Sequence, residues 1–346
     1  MRTVAVEEHF ATEDFLNHLR AMLSGTYPHL EVIAAEPRLA DEVLFLAPPA
    51  GSPATDKFLD QLDKLLDCGE GRVRQMDAAG IDVQVLSLVS PGVQVLDPPT
   101  AIAVARRVNE ALAQAVKAHP DRFVGLAAIP PQSPNDAADE LERAVRELGL
   151  RGTSINSHVR GEYLDDQKYW PIFERAEKLG VPIYLHPRAP LPDMFQPYYE
   201  PYPVLATAML GFGAEVSLHA VRLICGGVFD RYPGVKIVIE HLGEAFPFWL
   251  WRIENHWNKS LLLKKQEKVP SQYFKDNVFA STSGNFSVPS FQCAHAVLGA
   301  DNILFAVDYP LESNREGVRF LESLPITEED KEKISHLNAE KLFGLQ

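Results

Sequence analysis

The chain has 346 residues, 46% of them hydrophobic, enough to bury a large core as one α/β domain or as two smaller ones. A formal net charge of −14 argues against nucleic acid or an anionic membrane as the main partner and leaves a small-molecule substrate open. Cys68, Cys225 and Cys293 make neither a disulfide framework nor a zinc-finger spacing, no signal peptide or bilayer-spanning run is read, and a soluble cytoplasmic protein is expected.

The first predicted strand, residues 3–10, ends in Glu7, Glu8 and His9. Strand alternation puts Glu7 and His9 on one side and Glu8 on the other. The segment that follows, residues 11–69, carries Pro28, Pro37, Pro48, Pro49 and Pro53 and keeps no steady period. Long connections of this kind are usually functional lids or disordered. Residues 11–69 are therefore read as a lid-like insertion over the strand ends, within a single domain spanning 1–346.

From Phe58 the element types alternate. A helical face runs from Phe58 to Met76 and is stopped by Gly80. Strand 83–88 leads to a helix capped by Thr100 and running to Ala118. Strand 123–129, helix 135–148, strand 152–156 and helix 169–179 follow. Residues 181–185 form a strand that ends in His186, and a long helical stretch covers 212–225. Then come strand 235–240, helix 246–257, strand 278–281, helix 289–298, and a strand over 303–307 ending in Asp308. Helix 316–324 and a final helix over 328–343, capped by Thr327, complete the chain. Eight strands alternating with helices predict a closed (β/α)8 TIM barrel. No G-x-G-x-x-G turn and no P-loop supports a nucleotide-binding sheet instead.

In such a barrel the chemistry sits at the C-terminal ends of the strands. Glu7 and His9 end strand one, Asn156 strand four and His186 strand five. His241 and Glu244 follow strand six, Thr282 and Asn285 strand seven, and Asp308 strand eight. Closure makes strands one and eight neighbours, so Glu7, His9 and Asp308 can reach one ion, with His186 reaching it from across the mouth. Two carboxylates and two imidazoles suit a divalent cation, either Zn2+ or Mn2+.

Several runs together carry a resemblance. They are Glu7-x-His9, Tyr184-Leu185-His186-Pro187-Arg188, Glu240-His241-Leu242-Gly243-Glu244, Trp251-Arg252-Ile253, Thr282-Ser283-Gly284-Asn285-Phe286 and Leu304-Phe305-Ala306-Val307-Asp308-Tyr309-Pro310. With them the chain resembles the amidohydrolase-related, metal-dependent decarboxylases. That group includes the aminocarboxymuconate semialdehyde decarboxylase and the γ-resorcylate and other hydroxybenzoate decarboxylases; the hydroxybenzoate branch is the nearest. The superfamily's usual His-x-His on strand one is Glu7-x-His9 here, a form seen in that branch. The resemblance implies one metal ion, because Asn156 stands where dinuclear members often place a bridging lysine. It implies Glu7, His9, His186 and Asp308 as ligands, and His241 and Glu244 beside the ion or the substrate. Arg252, Asn156 and Asn285 are the implied substrate contacts, and no organic cofactor is required.

The implied activity is non-oxidative decarboxylation of an ortho-hydroxylated aromatic carboxylate by a homodimer or homotetramer. Asp308 would protonate the carbon that bears the carboxylate, and His241 would orient groups or share the proton. A metal-dependent hydrolase or hydratase of a small aromatic or ring-cleavage acid is the alternative, and a barrel that only binds an aromatic acid is a third reading. His219 is read as a packing residue. Trp249, Trp251 and Trp257 are read as core or subunit contacts.

Overall fold

The computed structural model describes residues 1–26, 54–262 and 266–345. Its strands are β1 (Val4–Phe10), β2 (Val83–Leu88), β3 (Phe123–Gly125), β4 (Ala127–Ala128), β5 (Thr153–Asn156), β6 (Ile183–His186), β7 (Ile237–Ile239), β8 (Val278–Ser281) and β9 (Ile303–Leu304). They pair in parallel in the orders β1-β2-β3 and β4-β5-β6-β7-β8-β9. β3 and β4 are one barrel strand interrupted at Leu126, whose N–H donates to Leu86 O at 2.9 Å. The last strand meets the first through Val6 N–H to Phe305 O at 3.0 Å and His9 N–H to Tyr309 O at 2.7 Å. Eight rungs therefore close into a (β/α)8 barrel, rich in Val, Ile and Leu because both faces of each strand are covered.

The core divides by strand face. Val4, Val6, Val83, Val85, Val124, Leu126, Tyr184, Val238, Leu304 and Ala306 fill the barrel interior, closed below by Ala339 and Phe343. Leu86, Ile155, Leu185, Ile239, Phe305 and Val307 face the surrounding helices. β1 breaks strict alternation. Between Ala5 and Glu8 it has one residue more than β2, a β-bulge. The bulge lets Val6 and Glu7, neighbours in sequence, both look inward, and His9 then follows Glu7. The expected pairing of Glu7 with His9 holds, but the bulge sets their common phase.

Helix ends account for several differences from the sequence reading. The 98–118 helix is capped by Asp97, whose carboxylate accepts from Thr100 N at 3.2 Å, and Pro98 opens the first turn. Thr100 is thus the recipient of the cap. The face from Phe58 to Met76 is two helices, Ala54–Leu66 and Glu70–Ala79, the second ended by left-handed Gly80. Thr327 does cap the last helical stretch, but Lys333–Leu337 widens into a π-helical turn. Residues 204–226 correct the expectation that no run is long and apolar enough to cross a bilayer: by length and composition alone, these 23 residues are. They contain a break before the Gly211–Gly226 helix, which carries buried Glu215 and His219 on its inner face. Of the expected lid, residues 27–53 lie outside those described. Its two described ends are the Glu13–Thr26 and Ala54–Leu66 helices.

Candidate active site

Three strand ends, those of β1, β6 and β9, bring the four expected ligands together. Glu7 Oε2 accepts from Tyr184 Oη at 2.9 Å, from Ser281 Oγ at 2.9 Å and from Ser283 Oγ. Three hydroxyls fix one carboxylate oxygen, and the other, Oε1, is buried without a hydrogen-bond partner among the described residues. His9 Nδ1 lies 3.3 Å from Ser87 Oγ, which turns Nε2 inward, where it too has no hydrogen bond. His186 Nδ1 donates to Pro187 O at 2.6 Å, so Nε2 carries the lone pair. Burial pushes the His186 ring down to about 3, keeping it neutral as a ligand must be. Ligand atoms of Glu7, His9 and His186 all lie within 4.8 Å of one another.

Asp308 Oδ1 sits 3.0 Å from His9 Nε2, again without a hydrogen bond among the described residues. Atoms bound at about 2.1 Å to one ion and at right angles across it stand about 3.0 Å apart. Bare, buried oxygen and nitrogen atoms at this spacing fit a divalent cation, so the donor set suits the expected metal.

The Asp308 backbone is strained, with φ 79°. A left-handed residue with a side chain costs about 1–2 kcal/mol. It is held by three successive amides: Val307 N–H donates to Glu8 Oε1 at 3.0 Å, Asp308 N–H to Glu7 O at 3.0 Å and Tyr309 N–H to Glu8 Oε2 at 3.1 Å. Each bond contributes about 0.5–3 kcal/mol, more where the acceptor is charged, so together they outweigh the strain.

β7 ends in a second strained turn. His241, Leu242, Gly243 and Glu244 have φ of 49°, 63°, 76° and 54°. The turn folds Glu244 back so that Oε1 meets His241 Nδ1 at 2.5 Å. His241 Nε2 then faces Glu7 Oε1 and Asp308 Oδ2, each at 3.9 Å. Burial alone would lower the imidazole, but Glu244, Asp308 and Glu7 around it raise it well above its usual value. Burial would likewise raise the Asp308 carboxyl, yet His241 and His9 hold it below the carboxylate range. The pair is a charged acid beside a carboxylate. Gly284 lines the same space: a Cβ there would come within 3.0 Å of His241 Cδ2 and 3.5 Å of Asp308 Oδ2.

The other expected residues divide. Asn156 is the register partner of His186, is buried, and has an unpartnered Oδ1. Asn285 Nδ2 reaches His241 O only at 3.5 Å. Arg252 is not brought to the site. It is exposed on the Phe246–Lys259 helix, which buries Phe246, Pro247, Leu250 and Trp257, and Arg252 falls on the opposite face. His219 is a buried polar anchor: Nε2 accepts from Leu164 N at 3.1 Å and Nδ1 lies 3.1 Å from Ser157 Oγ. Trp257 is in the core, whereas Trp251 is exposed.

Sequence reasoning passed over Glu240, which is fully buried, with neither oxygen hydrogen-bonded among the described residues, and 3.5 Å from His186 Nε2. Its ligand-type oxygen groups with Glu7 and His241. Burial first, then the nearby Glu7 carboxylate, raise its carboxyl well above the usual range. Its place as the last residue before His241 was the available signal. Ser281 and Ser283, which orient Glu7, had none.

Residues 47–345 match the model of the amidohydrolase family. This chain belongs to that family. Among its relatives, the γ-resorcylate decarboxylase of Polaromonas sp. (strain JS666) is 38% identical over 352 residues, covering 99% of this chain and 98% of its own. The crystal structure of 5-carboxyvanillate decarboxylase from Sphingomonas paucimobilis superposes with a TM-score of 0.89 at 36% identity, covering 100% and 99% of the two chains. The dihydroxybenzoic acid decarboxylase from Polaromonas sp. JS666, solved with manganese and 2-nitroresorcinol, gives a TM-score of 0.85 at 37% identity, covering 99% and 97%. This amidohydrolase is thus placed beside the hydroxybenzoate decarboxylases, as its strand-end residues imply.

Proposed function

We infer that this amidohydrolase is a carboxy-lyase that removes CO2, without oxidation, from an ortho-hydroxylated aromatic acid. The observation that carries the reading is the convergence of bare Glu7 Oε1, His9 Nε2 and Asp308 Oδ1 beside the His241–Glu244 pair. Near full-length similarity to proteins named as decarboxylases of such acids supports it. Glu7, His9, His186 and Asp308 would hold one divalent ion, Mn2+ or Zn2+. Bound there, the ion supplies Lewis acidity and a template for the ring hydroxyl and carboxylate oxygens.

The protein's own groups handle the proton. His241, kept charged between Glu244 and the ligand carboxylates, stores it. Asp308 passes it to the ring carbon that bears the carboxylate. The C–C bond then breaks, its electron pair stays with the ring, and CO2 leaves. Glu244 holds the His241 ring and favours its recharging from solvent. Asn156 and Asn285 are placed to contact the substrate.

The chain is proposed to act as one soluble cytoplasmic domain. It is proposed to assemble as a homodimer or homotetramer, for which Phe248, 80% exposed, and Trp251, 76% exposed, offer apolar surface. The deciding experiment follows ultraviolet spectra of a panel of ortho-hydroxybenzoates with Mn2+-loaded protein. One panel member should yield the phenol and one CO2. Absence of CO2 from every member sinks the reading.

A further inference from the structure

Glu8 stands on the opposite side of β1 from the ligands, fully buried, and its carboxylate spans the seam between the first and last strands. Oε1 accepts from Val307 N–H at 3.0 Å and Oε2 from Tyr309 N–H at 3.1 Å, the residues on either side of Asp308. The left-handed turn at Asp308 makes this possible. Where the middle residue of three turns left-handed, the flanking amides converge into a cradle for an anion. The carboxylate inside the cradle in turn keeps the backbone of Asp308 in the one conformation that aims its side chain at His9.

Glu8 is itself held. Gln84 Nε2 donates to Oε2 at 3.3 Å, and Arg72 Nη1 reaches Gln84 Oε1 at 3.4 Å. Arg72 is 0% exposed, donates through Nη2 to His9 O at 2.6 Å, and lies 4.9 Å over the Tyr309 ring. Arg72, Gln84 and Glu8 thus connect the backbone of one ligand, His9, with the backbone around another, Asp308.

We propose that Glu8 is a positioning residue for the metal centre: its carboxylate, seated in the amides of Val307 and Tyr309, sets the spacing of Asp308 and His9 and so the affinity for the ion. The proposal rests on the reading of Glu7, His9, His186 and Asp308 as ligands. Glu8 and Arg72 are both fully buried.

The test is a Mn2+ titration of the full chain, with free Mn2+ read by electron paramagnetic resonance and the fold followed by circular dichroism. Glu8→Gln keeps the volume but replaces one acceptor with an NH2 that opposes a backbone N–H. It should weaken Mn2+ binding about 10- to 100-fold, the usual effect of losing a group that orients a ligand. Glu8→Asp keeps both oxygens one methylene short, should weaken binding as well, and is read if the first variant does not fold. Asn338→Ala is the structural comparison, since Asn338 Nδ2 donates to Ala300 O and Ile303 O at the opposite end of β9. It should lower the melting temperature and keep the wild-type Mn2+ affinity. Wild-type affinity in a folded Glu8 variant, or an equal loss in Asn338→Ala, overturns the proposal. A wild-type protein that takes up no Mn2+ overturns the ligand reading and this proposal with it.

Discussion

His9 Nε2 and Asp308 Oδ1 lie 3.0 Å apart where the last strand of the barrel meets the first, and neither makes a hydrogen bond among the described residues. Two buried polar atoms this close carry a desolvation cost that a shared cation removes. The purified protein is therefore expected to hold about one divalent ion per chain, and a strong chelator should abolish turnover. His186→Ala should lower the metal content measured by emission spectrometry. Full activity in metal-free protein is the result that excludes this arrangement.

Asp308→Asn separates proton delivery from ligation. Asparagine keeps the shape and one oxygen but cannot pass a proton to carbon. With metal content measured beside the rate, turnover should fall roughly a hundredfold to ten-thousandfold, as loss of a positioned acid typically costs. In heavy water the wild-type product should carry one deuterium at the carbon that lost CO2. Wild-type turnover in metal-loaded Asp308→Asn would move the donor role to His241.

Gly284 has φ 58°, and its missing side chain leaves the space beside His241 open. Gly284→Ala should cost about 1–2 kcal/mol of stability from the left-handed backbone alone. It should also lower kcat by displacing the His241 ring, whose Cδ2 would stand 3.0 Å from the new methyl. An unchanged kcat with lowered stability would show that the space is not used.

Acid should unfold the protein partly through His219. Burial pushes its pKa down to about 3, against an ordinary value of 6.5. The unfolded chain thus binds a proton that the folded one refuses between these values. The folded state is favoured above about pH 6.5, and that advantage is lost progressively as pH falls towards 3. Between pH 6.5 and 5 the loss is about 2 kcal/mol for this one group. His219→Gln should lower stability at pH 7 and flatten the acid limb in urea titrations taken at several pH values. An acid limb of the same slope in the variant would assign the effect to other groups.

The barrel was legible because its signals are local and repeated. Val235 to Ile239 and Ile303 to Val307 read as strands covered on both faces, and the polar residue at each end marks the working rim. That Glu7, His9, His186 and Asp308 stand at strand ends could be read from those endings. What was not legible depends on contacts distant in sequence. Tyr184 lies 177 residues from Glu7, and Ser281 lies 274 from it, so nothing local marks the hydroxyls that fix that carboxylate. Arg252 lies away from the rim for a different reason: a motif gives a residue's neighbours, but the buried face of the Phe246–Lys259 helix decides where its side chain goes. Glu240 is itself the polar ending of its strand, but the adjoining His241 was read as the rim residue in its place.

The extra residue in β1 separates two tasks that an unbroken strand would tie together. Below it, Val4 and Val6 answer only to the volume of the barrel interior. Beyond it, Glu7, Glu8 and His9 take their phase from the seam with the last strand. A designer who wanted a different ion on this scaffold would leave the irregularity and the valines untouched and redraw the three positions that follow.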